Sequence, residues 1–162
     1  AYFALRIESM VTLGVNQLPG QYQFALFSDD GSVLQINDGS GFRTIVNNDL
    51  AHESVLRVAS EPITLNVAEA LPIKLDYMQG SPNYMSIILL WRPWPGNDDS
   101  RPVNDPIVGE TGTHVFWDLS TSPSTPRQPW IDLMSRGWKV MTPENFVLGE
   151  TNPCTEEEPA TP

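Results

Sequence analysis

The chain has 162 residues, a formal net charge of −11 and a single cysteine, Cys154. That length suits one domain with a substantial core, while the charge opposes binding to nucleic acid or to anionic lipid surfaces. One cysteine allows neither an internal disulfide nor a four-cysteine zinc site.

With 15 prolines, 11 glycines and many short alternating runs, the chain reads as all-β, a sandwich or barrel and not a helical bundle. Phe3, Leu5 and Ile7 open a strand or strand pair that continues through residues 10–13, and residues 16–20 supply turn chemistry. The chain starts at Ala1 inside this strand, as expected of a segment cut from a longer precursor. Residues 21–38 follow. Tyr22, Phe24 and Leu26, then Leu34 and Ile36, show the period of two of half-buried strands, and Asp30-Gly31 between them reads as a tight hairpin turn in which glycine accepts positive φ. Short strands are expected over 42–46 and around Val55, Leu56 and Val58.

Ile63, Leu65 and Val67 alternate with polar residues, Leu71-Pro72 should break the run, and Ile73, Leu75 and Tyr77 resume it with Lys74 and Asp76 facing out. From Met85 to Trp91 the residues are almost all apolar, as expected of a central strand buried on both faces. The longest apolar run, Ile87 to Trp91, is far too short to cross a bilayer. Tyr22, Phe24, Leu26, Leu34, Ile36, Leu75, Tyr77, Ile87 and Leu89 should line the core. After Trp91 comes a loop rich in proline and oxygen ligands, Trp94-Pro95-Gly96-Asn97-Asp98-Asp99. Val115, Phe116 and Trp117 suggest a further strand, residues 121–129 an irregular segment, and residues 132–140 a short helix. The expected organisation is one domain over 1–151, with an extension from about residue 95, and an acidic, proline-bearing tail or linker over 152–162.

Catalysis is not expected. His52 and His114, the only histidines, sit in no nucleophile motif, and the chain has no phosphate-binding glycine loop or zinc-hydrolase spacing. Adjacent Asp98 and Asp99 do not set two carboxyls across a sugar ring, which glycoside hydrolysis requires. Asp29 and Asp30 leave two readings open. Adjacent carboxylates repel, so they stand apart in solvent at a turn or are held together by a cation, and calcium takes about 6 to 8 oxygen ligands of this kind.

Four stretches in order resemble the signature of PA14 domains over roughly residues 2–94: Gly20-Gln21-Tyr22-Gln23-Phe24, then residues 27–39 (FSDDGSVLQINDG), then Pro72-Ile73-Lys74-Leu75-Asp76-Tyr77-Met78-Gln79-Gly80, and Leu89-Leu90-Trp91. The resemblance implies a two-sheet antiparallel β-sandwich of a kind found in toxins, glycosidase insertions, flocculins and adhesins. Its lectin branch implies that Asp29 and Asp30, joined by a cis peptide, hold calcium (Ca2+), and that a second loop after a later core strand completes the site. By position that loop is 94–99, with Asn97 and then Asp98 as side-chain ligands. Trp94 is then either a stacking face for a sugar ring or a core residue. The function implied is calcium-dependent binding of glycans or cell-surface polysaccharide by an extracellular or cell-surface adhesin. It would act beside neighbouring domains and without membrane insertion. The alternative is a non-lectin PA14 module with a structural or protein-interaction role in a secreted toxin or enzyme.

Overall fold

The computed structural model describes residues 2–80 and 84–148. In chain order the elements are β1 (Phe3–Thr12), β2 (Gly20–Asp29), β3 (Ser32–Asn37), β4 (Phe42–Asn48), β5 (Val55–Val58), β6 (Ile63–Leu65), β7 (Ala70–Gln79) and β8 (Ser86–Pro93). A one-turn helix α1 (Thr113–Phe116), β9 (Trp117–Asp118), β10 (Thr125–Pro126), helix α2 (Gln128–Ser135), β11 (Lys139–Val140) and β12 (Phe146–Val147) follow. The chain is an all-β sandwich. One sheet has the order β12-β1-β7-β3-β4 and the other β11-β8-β2-β5, with β6 also on β2, and the pairings are antiparallel.

Between the sheets lie Tyr22, Phe24 and Leu26 of β2, Leu34 and Ile36 of β3, Ile73 and Leu75 of β7, and Trp91 of β8. In β3 and β7 burial alternates residue by residue, so the period of two in the sequence is the period of the packing. Tyr22 stacks on Trp91 at 4.9 Å between ring centroids.

Several expectations are corrected. β2 and β3 are not a hairpin: they belong to different sheets, and Asp30-Gly31 is the corner where the chain crosses between them. β2 is buried on both faces, not one. Its outer residues Ala25 and Phe27, with Leu56 and Leu90, form a second apolar cluster with Phe116, Trp130, Leu133 and Trp138 from the C-terminal third. On β8, by contrast, Ile87 and Leu89 are only partly buried, because the strand's far edge is covered only at Leu90 and Trp91, by β11.

Pro72 does not break its strand. It sits inside β7 opposite Met10, and pairing with β3 stops at Ile73, so at Pro72 that side of β7 is an edge, where proline is tolerated. Phe116 ends α1 instead of lying in a strand, and the expected helix over 132–140 is α2, four residues earlier, with Pro129 in its first turn. The tail expected over 152–162 lies outside the described residues.

A buried polar knot joins the C-terminal third to the sandwich. Arg92, 1% exposed, donates to Gln23 Oε1 (2.9 Å) and to the carbonyls of Pro102 (2.6 Å) and Arg136 (3.3 Å), and its guanidinium lies 4.4 Å from the Trp138 ring. Asp105, 2% exposed, accepts two hydrogen bonds from Arg136 (2.8 and 2.7 Å) and one from Trp138 Nε1 (3.2 Å). Burial lowers the Arg92 pKa to about 10, although Asp105 opposes the shift.

Candidate functional site

Asp29 ends β2 and Asp30 begins the corner into β3, so the two carboxylates stand at one end of the sandwich, where the sheets exchange the chain. The peptide between them is cis. Both residues are buried, Asp29 at 8% and Asp30 at 6% exposure. Backbone donors from two loops fix them. Asp29 Oδ2 accepts the Ser54 N–H at 3.1 Å and its hydroxyl at 3.4 Å. Asp30 Oδ1 accepts the His52 N–H at 3.0 Å, and Asp30 Oδ2 accepts the Gly80 N–H at 2.6 Å. The Tyr77 hydroxyl donates to the Asp29 carbonyl at 2.6 Å and lies against Gln79 Oε1.

The electrostatics follow from burial. Desolvation raises the Asp29 pKa, the neighbouring Asp30 charge raises it further, and the Ser54 donors only partly offset this. Tyr77 is pushed up to about 12 by burial first and by the two aspartates next. Among the described residues no ion pair involves Asp29. Its second oxygen, Oδ1, accepts no hydrogen bond there and reaches the surface.

Gly31 is required by close approach and not by a positive φ, which it does not have. A Cβ there would stand 2.7 Å from the Leu50 carbonyl oxygen and 3.0 Å from the Leu50 nitrogen. The hairpin expectation therefore named the right residue for the wrong reason.

The second half of the expected site is elsewhere. β8 runs antiparallel to β2, with Asp29 opposite Ser86 and Tyr22 opposite Pro93, so the loop that follows β8 emerges at the far end of β2. The Trp94 N–H donates to Gln21 O there. The seven residue steps from Tyr22 to Asp29 span about 23 Å at ~3.3 Å each, so Trp94, Asn97 and Asp98 do not meet Asp29 and Asp30. Asp98 is engaged locally: its carboxylate accepts from Ser100 N (3.0 Å), Ser100 Oγ (2.5 Å) and Arg101 Nε (2.8 Å), which holds its pKa down at about 2.

The structure instead gathers the loop after β4, through His52 and Ser54, and the start of the loop after β7, through Gly80. Tyr84, 53% exposed, joins through its carbonyl, which accepts from Gln79 Nε2 at 2.9 Å. Tyr2, 86% exposed, comes within 3.9 Å of the position a Cβ on Gly80 would take. Ser54 Oγ reaches onward to Thr113 Oγ1 at 2.8 Å.

The donor set is hard. It consists of carboxylates and hydroxyls, while the His52 ring is directed to the carbonyls of Glu53 (2.8 Å) and Asn48 (2.9 Å). Such oxygens suit calcium or magnesium, not zinc. Among the described residues no group of three or more His, Cys, Asp or Glu gathers, so two carboxylates would leave further ligand positions to carbonyls, water and bound hydroxyls. An open depression of about 440 Å³ lies beside the corner, lined by Gly31, Ser32, Asp49, Asp76 and Met78 among others.

Among the described residues no helix is long and apolar enough to cross a membrane. No family model matches the sequence and no curated protein matches it. Among solved structures the chain is similar to the PA14 domain of the antifreeze protein MpAFP, at 20% sequence identity and a TM-score of 0.41. The match covers 60% of this chain and 46% of that one.

Proposed function

We propose that this chain is a calcium-dependent carbohydrate-binding module of an extracellular or cell-surface adhesin, with no catalytic activity of its own. The observation that carries the reading is the Asp29–Asp30 pair: two adjacent carboxylates, both buried, held by backbone N–H groups from separate loops, with no hydrogen bond to Asp29 Oδ1 among the described residues. Holding two like charges together out of water is unfavourable, and a divalent cation at their outer face would offset it.

Asp29 and Asp30 would hold the ion, and the ion would supply positive charge to vicinal hydroxyls of a sugar. Ser54, His52 and Gly80 position the carboxylates through their N–H groups. The exposed rings of Tyr84 and Tyr2 offer apolar faces near the corner, the part that the sequence reading gave to Trp94. Neighbouring domains would present the module to its glycan.

A second reading is favoured by one observation: the same carboxylates already tie two loops to the sheet end, which a purely structural or protein-interaction PA14 module would also need. A glycan array read with calcium and again with chelator separates them. The lectin reading predicts signals that disappear with chelator, and the structural reading predicts none in either condition.

A further inference from the structure

Near the corner that carries Asp29 and Asp30, a small pocket opens between Glu53, Tyr84, Thr113, His114 and Leu119. Resting on the calcium-dependent reading, we infer that this pocket receives the second ring of a glycan whose first ring sits on the ion, and that it selects a neutral sugar there over an acidic one. Residues 111–113 are fastened to the loop after β4: Val55 and Thr111 form an antiparallel bridge, and the Gly112 N–H donates to the Ser54 carbonyl at 2.9 Å. The Ser54 hydroxyl, 3.4 Å from Asp29 Oδ2, is also 2.8 Å from Thr113 Oγ1. The wall of the pocket therefore begins two hydrogen bonds from that carboxylate, within reach of the ring beside an ion-bound sugar. Its volume is about 70 Å³. That is far below the ~300 Å³ of a self-sufficient ligand site, so the pocket can seat only the edge of a molecule held elsewhere.

Gly112, at φ 109°, carries no side chain, and two others stand over it as a result: a Cβ there would lie 2.6 Å from His114 Cε1 and 3.2 Å from Glu53 Oε2. The imidazole and the carboxylate thus flank one point without pairing with each other. Among the described residues neither side chain makes a hydrogen bond or an ion pair. Both are exposed, as are Tyr84 and Leu119. A carboxylate that accepts, an imidazole that donates and accepts, and the flat face of Tyr84 are the groups that read ring hydroxyls and the apolar face of a sugar. Glu53 also sets the charge. A sugar carboxylate in the pocket would stand beside it on a chain whose net charge is already −11, and like charges at close range repel. Thr113, His114 and Leu119 lie beyond residue 94, so the C-terminal third supplies a wall of the site that the aspartate pair does not reveal.

The test is isothermal titration of the full chain in saturating calcium at neutral pH, with probes built on the monosaccharide that binds best. They are its methyl glycoside, the neutral disaccharides that carry it at the non-reducing end through each linkage, and the tightest of these with a uronic acid as its second ring. The best neutral disaccharide should bind about tenfold more tightly than the methyl glycoside, and the acidic one should not. His114→Ala should bring the neutral disaccharide down to the level of the methyl glycoside, whose own affinity stays the same. Glu53→Gln should bring the acidic disaccharide up toward the neutral one, a change that mere damage to packing would not produce. Neutral disaccharides that all bind no better than the methyl glycoside overturn the inference and leave the calcium reading standing. So does a His114→Ala variant that keeps the full preference, or a Glu53→Gln variant that rejects the acidic ring as strongly as the wild type. If no probe binds with calcium, the calcium reading falls and the inference falls with it.

Discussion

The Leu50 carbonyl oxygen lies 2.7 Å from where a Cβ on Gly31 would stand, which presses the loop after β4 onto the corner that carries Asp29 and Asp30. The same loop supplies the His52 and Ser54 N–H groups that hold the two carboxylates. Because the obstacle is backbone, it cannot swing aside as a flexible side chain would. Gly31→Ala should therefore cost about 1–3 kcal/mol in urea denaturation, and it should weaken any ligand binding at the corner by displacing those donors. An unchanged denaturation midpoint would show that the contact yields freely.

The two sides of the sandwich should respond differently to truncation. Leu34 is fully buried, whereas Leu89 is only partly buried and lines an open cleft of about 680 Å³ together with Ile7, Leu75, Ile87 and Met141. Leu34→Ala should cost about 2–5 kcal/mol and Leu89→Ala clearly less, since the cleft already leaves one side of Leu89 without neighbours. Equal losses would mean that the cleft is closed in solution.

Asp105 is the carboxylate that hydrogen-bonds Arg136 and Trp138, and it lies 3.9 Å from Arg92. Removing it leaves buried cationic groups without their counter-charge, so Asp105→Ala should cost about 3–5 kcal/mol by chemical denaturation. Near-ultraviolet dichroism should report Trp138 losing its fixed surroundings. A loss below 1 kcal/mol would place the C-terminal third outside the cooperative unit.

Asp98 gives the pH test. Its pKa is lowered to about 2 by Ser100 and Arg101. A carboxylate depressed in the folded state contributes stability above its unfolded value and loses it as pH falls through the folded one. The contribution should therefore disappear between pH ~4 and ~2, and Asp98→Asn should flatten that part of the profile. Carboxyl carbon shifts followed by NMR should show Asp98 titrating near 2 both with and without calcium, because it stands at the other end of the sheet from Asp29.

Much of the sandwich was legible because its strands obey their period: Leu34 and Ile36, and Ile73, Leu75 and Tyr77, are inward as the alternation requires. What escaped was what covers the second face. Nothing local to Ala25 and Phe27 announces that Phe116 and Trp130, about ninety residues or more downstream, will pack on them. The candidate site divides in the same way. Asp29 and Asp30 are adjacent in sequence and so visible at once. Their partners His52, Ser54 and Gly80 act through backbone N–H groups, which leave no side-chain signature. The loop carrying Asn97 was misplaced because reading order ignores strand direction: β8 runs antiparallel to β2 and carries the next loop away from the aspartates.

Isothermal titration of calcium into the wild type, Asp29→Asn, Asp30→Asn and Asp98→Asn tests the central proposal most directly. Asp29→Asn removes one negative charge and keeps an oxygen for the Ser54 donors, which share Oδ2; Asp30→Asn removes the charge and keeps an oxygen for only one of the His52 and Gly80 N–H groups, which use Oδ1 and Oδ2 separately. Thermal melts in calcium should show the wild type gaining stability with ligand concentration. The account predicts calcium binding by the wild type and by Asp98→Asn with equal affinity, and loss of binding, by tenfold or about 1.4 kcal/mol at least, in each of the other two. The same affinity in all four proteins, or no heat with any of them, would contradict it and leave the Asp29–Asp30 pair as a structural tie between loop and sheet.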